Sequence, residues 1–248
     1  MGLVVGALSP YPPSTLKLAL VSDLHGNLVA LDAVLADARA AAVDRVVCLG
    51  DVVDLGPQPE ETVRRLRDAN VACVRGNHDP LDEHPAMPVL LEIERWTRDA
   101  LSAESRAWLE ALPMTLEVDL DGARALLAHG SPKANTDSLL ASTPEPELDG
   151  WGTGGFDLVA CGHTHVALTR HHRGRPFVNV GSVGMPFEEP FSGRPPRVLR
   201  ACDYAVVSAR AGVVSIEHRR LPLDFDAFAR TMRESGFPNP DAWLAQWA

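Results

Sequence analysis

Apolar runs alternate with helical patterns in the first third of the chain. Residues 16–22, 45–49 and 71–74 are almost continuously apolar, as expected of strands that are covered on both faces. Between these runs, apolar side chains recur at helical spacing over 28–38, and a second helix is expected over 60–69. Because strands that are joined through helices pair in parallel, this pattern predicts an α/β layered fold.

Residues 80–113 have a different pattern, and we interpret them as a helical insertion. Three prolines open the segment, and helices are predicted over 90–100 and 102–112. We expect the insertion to form a wall or a lid over the functional site. Its two tryptophans, Trp96 and Trp108, are expected to pack into the core, and stacking on a substrate base is the alternative.

Short strands return after the insertion. Several of them are separated by Gly or Asp-Gly turns, such as Asp121-Gly122 and Ala211-Gly212, which favour antiparallel hairpins. The chain ends in C-terminal helices over 221–248. Strands are predicted over 115–119, 124–128, 158–161, 166–171, 177–180, 198–208 and 212–219. Together the elements predict one domain over 1–248, with a flexible extension over 1–15, as a four-layer α-β-β-α sandwich of two packed mixed sheets.

The composition limits the classes of partner. The chain of 248 residues has 23 basic and 33 acidic side chains and a net charge of −10. A surface this acidic repels phosphate polymers, so we expect no broad binding of nucleic acids. A small anionic substrate stays compatible with this charge, because bound divalent cations would reverse the field locally.

The location of the protein is expected to be the cytoplasm. Four cysteines are far apart and form no CxxC pair, which is typical of buried, reduced thiols. No apolar run is long enough to span a membrane, and the apolar N-terminus lacks the positive segment of a signal peptide. The sequence leaves the oligomeric state open.

Polar motifs stand directly after the apolar runs. They supply histidines, carboxylates and an asparagine at the strand ends, where α/β sheets present their ligand-binding loops. Each motif alone has an ordinary explanation as a turn or as a buried histidine, so the prediction rests on the ordered set. The motifs are Asp23-Leu24-His25, Gly50-Asp51-Val52-Val53-Asp54, Gly76-Asn77-His78-Asp79, His129-Gly130 and Gly162-His163-Thr164-His165.

The spacing within the motifs suits metal coordination. Asp23 and His25 are two residues apart, so in an extended chain both side chains leave on one face, and His163 and His165 repeat this spacing. Two such pairs from different strands can converge on one ion. The carboxylate of Asp51 has two oxygens and can bridge two cations.

Asn77 and His129 would complete the site of a second ion. Two divalent metals roughly 3.5–4 Å apart clamp a phosphoryl group and generate hydroxide near neutral pH. The ligand set mixes nitrogen and oxygen without thiolate, which points away from structural zinc. We expect two divalent transition metal ions, with manganese first and iron, cobalt, nickel or catalytic zinc as alternatives. The remaining histidines lack this placement and are expected to be surface or structural residues: His84, His171, His172 and His218.

The motif set resembles the calcineurin-like metallophosphoesterase superfamily. The patterns DxH, GDxxD, GNHD, a lone His before Gly, and GHxH are all intact, and the resemblance covers residues 17–182. The short forms SDLHGN, GDVVDLGPQP and RGNHD most resemble the small bacterial phosphodiesterases of this superfamily. One departure is Val180, which stands where the loop after GHxH has proline in the family.

The resemblance implies a role for each motif residue. One metal would be held by Asp23, His25 and His165, the other by Asn77, His129 and His163, and Asp51 would bridge them. His78 would contact the phosphate and protonate the leaving group, since the equivalent histidine of the family does so.

The residues around His78 support the same role on chemical grounds. A histidine with a pKa near neutrality is a workable general acid. We expect Asp79 to orient His78, as a carboxylate commonly orients an imidazole, and Asp54 to stand behind a ligand histidine. Capping of a turn is the alternative for both carboxylates. Arg75 is expected to contact phosphate or to form a surface salt bridge.

The sequence therefore predicts a hydrolase that acts on a small phosphoester. The leading hypothesis is a dinuclear metal-dependent phosphodiesterase, in which a metal-bound hydroxide attacks phosphorus in line. A phosphomonoesterase or protein phosphatase, or a dinucleoside polyphosphate hydrolase, would have the same site. A metal-free scaffold without activity is the third alternative, and the intact ligand set argues against it.

Overall fold

The strand order explains why the polar motifs meet at one edge. The computed structural model describes residues 16–82 and 88–248, and within them ten strands form two five-stranded sheets. The first sheet has the order β10-β9-β1-β2-β3 and the second β4-β5-β6-β8-β7. The strands are β1 (Lys17–Val21), β2 (Arg45–Cys48), β3 (Ala72–Cys73), β4 (Thr115–Leu120), β5 (Ala123–Ala128), β6 (Leu158–Cys161), β7 (Leu168–His172), β8 (Arg175–Asn179), β9 (Ala201–Arg210) and β10 (Val213–Pro222).

Both sheets are mixed, as the sequence predicts. In the first sheet β1, β2 and β3 are parallel, and β9 and β10 continue it as antiparallel strands. In the second sheet β5, β6 and β8 are parallel, with antiparallel β4 and β7 at the edges. The turns at Asp121-Gly122 and Ala211-Gly212 close antiparallel hairpins, which confirms that prediction. The carboxyl ends of the parallel strands therefore point to one edge of each sheet.

The helices cover the outer faces of the two sheets. Asn27 caps the first helix, because its side chain accepts a hydrogen bond from the backbone of Ala30. Ser102 caps the second helix of the insertion in the same way, through the backbone of Ser105. The helices of the described residues are α1 (Leu28–Ala40), α2 (Pro59–Asp68), α3 (Pro88–Ala100), α4 (Ala103–Glu110), α5 (Glu145–Trp151), α6 (Phe225–Glu234) and α7 (Pro240–Leu244).

The alternation of side chains along β1 builds two cores at once. Leu18 and Leu20 are fully buried between the two sheets, together with residues such as Leu127 of β5. Ala19 and Val21 point to the opposite face, where they pack against the helices. A third cluster lies between the outer face of the second sheet and α5. The four-layer architecture expected from the sequence is confirmed.

The insertion packs as the sequence predicts, and the C-terminal helices close over it. Trp96 of α3 contacts Phe237 edge to face, with 5.3 Å between ring centroids, and Trp108 of α4 packs on the same core. The expected core packing of both tryptophans is thereby confirmed. Trp243 of α7 donates its indole N–H to the carbonyl of Leu55 at 2.9 Å. The C-terminal helices are thus tied to the loop that follows β2.

Several elements differ from the sequence prediction. β9 spans Ala201–Arg210 instead of 198–208, and β10 spans Val213–Pro222 instead of 212–219. The sequence does not predict α5, because its sequence EPELDGW is short and polar. Its buried residues are Leu148 and Trp151, which are three positions apart and too few to form a helical pattern. β7 begins at Leu168 instead of residue 166, because the preceding residues belong to the polar loop after β6. The expected flexible extension over 1–15 lies outside the described residues.

No helix within 16–82 and 88–248 is long and apolar enough to cross a membrane. The cytoplasmic location stays a prediction.

The core between the sheets gives a direct test of this packing. We expect Leu20→Ala to lower the free energy of unfolding by about 2–5 kcal/mol, because a fully buried leucine leaves a cavity that its neighbours fill only in part. Val213→Ala on β10 is the control, because this side chain is 69% exposed and its truncation costs less than about 1 kcal/mol. Urea unfolding measures both. Equal losses in the two variants would contradict the assignment of Leu20 to the core.

Candidate metal centre

The loops after β1 and β2 are joined by backbone hydrogen bonds. The amide of Asp23 donates to the carbonyl of Gly50, the amide of His25 to that of Asp51, and the amide of Gly26 to that of Val52, at 2.9–3.0 Å. This ladder continues the pairing of the two strands beyond their ends. The polar motifs therefore stand side by side in a fixed register.

Five of the predicted ligands have left-handed backbone conformations. This region is strained for residues other than glycine and clusters at functional sites. The conformation turns the chain sharply at each strand end and directs the side chains toward a common centre. The residues are Asp23 (φ 53°), His25 (φ 47°), Asp51 (φ 51°), His163 (φ 70°) and His165 (φ 59°).

Two motif glycines are required by the close approach of these loops. A Cβ atom on Gly76 would collide with the backbone and the carboxylate of Asp51. A Cβ atom on Gly162 would collide with the hydroxyl of Ser22 and the carboxylate of Asp23. Glycine in GNHD and GHxH therefore makes room for the two carboxylates.

A first group of side chains converges around Asp23. Asp23, His25, Asp51 and His165 each offer one ligand atom, and these atoms lie within 4.8 Å of one another. The Nε2 atoms of His25 and His165 are 3.0 Å apart. Nε2 of His165 is 3.4 Å from Oδ1 of Asp23, and Nε2 of His25 is 3.8 Å from Oδ2 of Asp51.

A second group adjoins the first at Asp51. Nε2 of His129 lies 3.2 Å from Oδ2 of Asp51 and 3.0 Å from Oδ1 of Asn77. The ring of His163 stands edge-on to His129, with 5.3 Å between centroids. The structure thus brings together all seven residues that the sequence singles out as ligands, with Asp51 between the two groups.

Buried charge dominates the centre. Asp23 and Asp51 are at most 1% exposed. Burial alone would raise the pKa of Asp51, but the imidazoles of His129 and His78 hold that pKa well below its usual range. Burial likewise opposes ionisation of Asp23, and His165 and His129 hold the pKa of that carboxyl below its usual value. Two carboxylates are therefore ionised at the centre of the protein.

The histidines on the two sides of this charge differ in protonation. Burial and the neighbouring His165 lower the pKa of His25 to about 3, and burial together with His129 lowers that of His163 to about 4. Burial also lowers the pKa of His129, but the carboxylate of Asp51 outweighs it and raises the pKa to about 9. Neutral His25 and His163 have a free nitrogen lone pair for a cation, and a proton occupies that position on His129.

The hydrogen bonds of the rings show that the centre fits metal ions. Nδ1 of His165 donates to the carbonyl of Met185 at 2.7 Å, and Nδ1 of His129 donates to the carbonyl of Leu49 at 2.8 Å. Their Nε2 atoms are therefore directed inward, toward carboxylate oxygens of Asp51 and Asp23 that only accept. Within the described residues, the buried Oδ1 of Asp23 forms no hydrogen bond. Carboxylate oxygens and imidazole nitrogens that converge in one buried place are ligand types for cations, and a cation would displace the proton of His129, so the residues present fit bound metal ions.

His78 lies at the rim of the centre and pairs with Asp54. Its Nδ1 is 2.7 Å from Oδ2 of Asp54, and its backbone amide donates to Asp51 at 2.9 Å. Burial lowers the pKa of His78, but the charges of Asp51 and Asp54 outweigh it and raise the pKa to about 10. His78 is therefore a protonated donor beside the two groups of ligands.

Two sequence expectations about the neighbouring carboxylates are wrong. Asp79 does not orient His78, because its oxygens accept backbone N–H groups from Asp51, Val52 and Gly76 at 2.7–3.1 Å. Asp79 instead fixes the loops that hold Asp51 and Asn77. Orientation of His78 belongs to Asp54, which was expected to stand behind a ligand histidine.

The loop after β8 forms hydrogen bonds with two of the loops that hold the predicted ligands. The side chain of Asn179 donates to the carbonyl of Gly162, and the hydroxyl of Ser182 donates to the carbonyl of Asp23 at 2.8 Å. The amide of Val180 donates to Cys161 at 2.9 Å, a bond that a proline at this position would not form. The residue by which this chain departs from the family pattern therefore extends the pairing of β6 and β8.

The other singled-out residues lie apart from the centre. Arg75 forms no ion pair within the described residues, and its guanidinium lies against Met114 at 3.5 Å. His172 pairs with Asp149 at 2.7 Å, His218 contacts Thr169, and His171 is exposed, in agreement with surface or structural roles. His84 lies outside the described residues.

A cavity of about 700 Å³ opens beside the centre, and sequence reasoning did not find it. Asp51, His78, His163 and His165 form one end of it. Side chains from the insertion, from the loop before β9 and from α7 form the other walls. These segments are distant in the sequence, so no local signal joined them. The expectation that the insertion helps to enclose the site agrees with the position of Val89 and Leu90 in this wall.

This fold and this cluster define the class of the protein, and comparison with known proteins identifies its family. Residues 16–194 match the model of the calcineurin-like phosphoesterase superfamily domain, and the chain belongs to this superfamily. The chain is therefore a hydrolase of the metallophosphoesterase type, with a candidate metal-binding cluster.

Similar proteins cover most of the chain. The uncharacterized protein MJ0912 of Methanocaldococcus jannaschii is 31% identical over 194 residues, which are 68% of this chain and 76% of that protein. Phosphodiesterase YfcE of Escherichia coli (strain K12) is 28% identical over 185 residues, 69% of this chain and 81% of YfcE. The crystal structure of a metallophosphoesterase from Sphaerobacter thermophilus is 29% identical, with a TM-score of 0.73, and the match covers 94% of this chain and 98% of that chain.

The pairing of His78 with Asp54 predicts a change in titration. We expect Asp54→Asn to lower the pKa of His78, because the substitution removes a negative charge that stabilises the imidazolium. An NMR titration of the His78 ring in metal-free protein measures this pKa. Asp32→Asn is the control, because Asp32 is an exposed partner of Arg65. The same His78 pKa in wild type and Asp54→Asn would contradict the pairing.

Proposed function

We propose that the protein is a dinuclear metal-dependent phosphodiesterase. The observation that carries this proposal is the position of Asp51 between two groups of acceptors, one around Asp23 and one around His129. In this proposal Asp23, His25 and His165 hold one ion, and Asn77, His129 and His163 hold the other. Asp51 would be a ligand of both.

The ions would supply charge and an activated nucleophile. When bound, two divalent cations neutralise the oxygens of a phosphoryl group and lower the pKa of water near them. We infer manganese as the first candidate, with iron, cobalt, nickel and zinc as alternatives, because the ligand set has nitrogen and oxygen but no sulfur. The ionised carboxylates of Asp23 and Asp51 provide the negative charge that retains such ions.

The residues of the chain perform the remaining steps. His78 donates the proton of its ring nitrogen Nε2 to the departing alkoxide, and Asp54 holds the opposite nitrogen, Nδ1, so that the ring keeps this orientation. The left-handed loops fix the ligand atoms before the substrate arrives, so no reorganisation is needed during reaction. Asp79 acts through the backbone of the loops and is a positioning residue.

Two observations favour a diester over a monoester. One relative, YfcE, is named a phosphodiesterase. In addition, Arg194 is the single Lys or Arg among the described residues that line the cavity. A diester has one negative charge where a monoester has two, so a cavity with few cations suits a diester better.

Activity against three substrate types tests the proposal. With Mn²⁺ bound, we expect the protein to hydrolyse bis(p-nitrophenyl) phosphate faster than p-nitrophenyl phosphate or a dinucleoside tetraphosphate. Preference for the monoester would favour the phosphatase alternative, and preference for the dinucleotide would favour the polyphosphate hydrolase. A purified protein without stoichiometric metal and without turnover would favour the scaffold.

The bridging role of Asp51 predicts loss of metal together with activity. We expect Asp51→Asn to bind less metal and to lose turnover of the diester, because a neutral amide does not hold two cations. Metal analysis and the diester assay measure both quantities. Asp149→Asn is the matched control, because Asp149 on α5 also pairs with a histidine but belongs neither to the metal-binding cluster nor to the cavity lining. Normal metal content and turnover in Asp51→Asn would refute the proposal.

The role of His78 predicts the opposite combination. We expect His78→Ala to keep its metals and to lose rate by about 10²–10⁴, as is typical when a positioned acid is removed. The control is His172→Ala, which removes a histidine of the second Asp–His pair. Loss of metal in His78→Ala would mean that His78 is a ligand.

A further inference from the structure

We propose that the substrate has a bulky apolar alcohol group, and that this group binds in the cavity beside the metal centre. This inference rests on the proposed function, because it requires the phosphate to bind at that centre. The metal ligands would bind the phosphate and give no information about the alcohol group of the ester.

The cavity is large and lies directly beside the metal centre. Its volume of about 700 Å³ is far larger than a phosphate group needs and is typical of sites for drug-sized ligands. One end is formed by Asp51, His78 and two of the proposed ligand histidines. A phosphoester bound at the centre would therefore extend one of its ester groups into the cavity.

Most of the cavity wall is apolar, and its neutral polar side chains are Ser138, Thr164, Asn239 and Gln246. Phe187 stacks on His165, with 4.3 Å between ring centroids and an angle of 28°, and so forms the boundary between the centre and the apolar wall. Trp243 already uses its indole N–H on Leu55, so toward the cavity it offers ring surface and no free donor. Leu140 and Met185 add aliphatic surface. Burial of a hydrocarbon group against such a lining is favourable, whereas hydroxyl groups would find few hydrogen-bond partners there.

The exposed apolar residues point to the same place. Of the described residues, three large hydrophobic side chains are exposed: Val89 (43%), Phe191 (57%) and Val213 (69%). Val89 and Phe191, from two distant segments, both line this cavity, whereas Val213 lies on the edge strand β10. Exposed apolar side chains that meet at the rim of a pocket mark a binding surface.

The charge of the lining limits the polar part of the ligand. Among the described lining residues, Asp51 is the one carboxylate and Arg194 the one Lys or Arg. A polyphosphate chain or a nucleic acid would bury several negative charges without partners. The lining therefore fits one phosphate at the centre and hydrocarbon beyond it.

Part of the cavity comes from outside the family domain. The matched residues end at 194, whereas Pro238, Ala242 and Trp243 belong to the C-terminal segment. The metal centre thus lies within the matched residues, whereas part of the cavity wall comes from outside them.

A series of n-alkyl phosphates tests this inference. Methyl, butyl and octyl phosphate place the same phosphate at the centre and differ only in the hydrocarbon that enters the cavity. Their inhibition of bis(p-nitrophenyl) phosphate hydrolysis is measured on the Mn²⁺-loaded full chain, and their Kd by calorimetry. We expect affinity to rise about fourfold for each methylene group that is buried.

Variants of the exposed hydrophobic residues localise the effect. We expect Phe191→Ser to reduce the octyl-to-methyl affinity ratio by about tenfold, because part of the apolar wall is lost. Val213→Ser is the matched control and should keep the wild-type ratio. Because both side chains are exposed, both variants should fold, and unfolding temperature and metal content check this.

The outcomes separate the two proposals. Hydrolysis of the diester together with equal affinities for the three alkyl phosphates would overturn the inference and leave the proposed function intact. The same change of the ratio in Phe191→Ser and Val213→Ser would also overturn it. A protein that hydrolyses no diester would overturn the proposed function and the inference that rests on it.

Discussion

The structure depends on the burial of two ionised carboxylates, Asp23 and Asp51, in one small volume. Asp23 and Asp51 are shielded from water, and Nε2 of His129 and of His165 is directed at them because Nδ1 of each ring donates to a backbone carbonyl. Buried charge of one sign is unstable without a counter-charge. Divalent cations would supply that charge, whereas the proton on His129 supplies only part of it. The fold therefore assembles a site whose own charges select for metal.

The surrounding loops hold this arrangement against backbone strain. Left-handed conformations at five ligand positions cost free energy and persist only where neighbours fix them. Backbone hydrogen bonds between the β1 and β2 loops, the carboxylate of Asp79 and the side chains of Asn179 and Ser182 do so. Parallel strands supply the common edge at which these loops meet. The strained loops, the hydrogen bonds that hold them and the order of the strands together fix the positions of the side chains at the candidate metal centre.

Features of the fold that depend on a few neighbouring residues could be predicted from the sequence. Continuous apolar runs identified β1, β2 and β6 closely, and turn residues identified the hairpins, because burial and turn geometry act over a few residues. The motifs after β1, β2, β3, β5 and β6 contained all seven predicted ligands that meet at the centre. Family resemblance then divided them into two groups, and that division stays a proposal.

The remaining features depend on contacts between distant segments. Asp54 and Asp79 have the same side chain near the same histidine, and only the fold decides that one orients His78 while the other binds backbone amides. In the sequence Trp243 is an ordinary apolar residue of the C-terminal segment. In the fold it donates a hydrogen bond to Leu55, the neighbour of Asp54, although the two residues are 188 positions apart. α5 escaped notice because two side chains carry its packing. Long-range pairing of this kind has no signature in a local window.

The central claim is that the buried acceptors hold two cations that share Asp51. Anomalous diffraction at the manganese edge, from crystals grown with Mn²⁺, measures this directly. The account predicts two peaks about 3.5–4 Å apart, with Asp51 between them and with Asp23 and His129 on opposite sides. A single peak, or two peaks of which only one contacts Asp51, would contradict it.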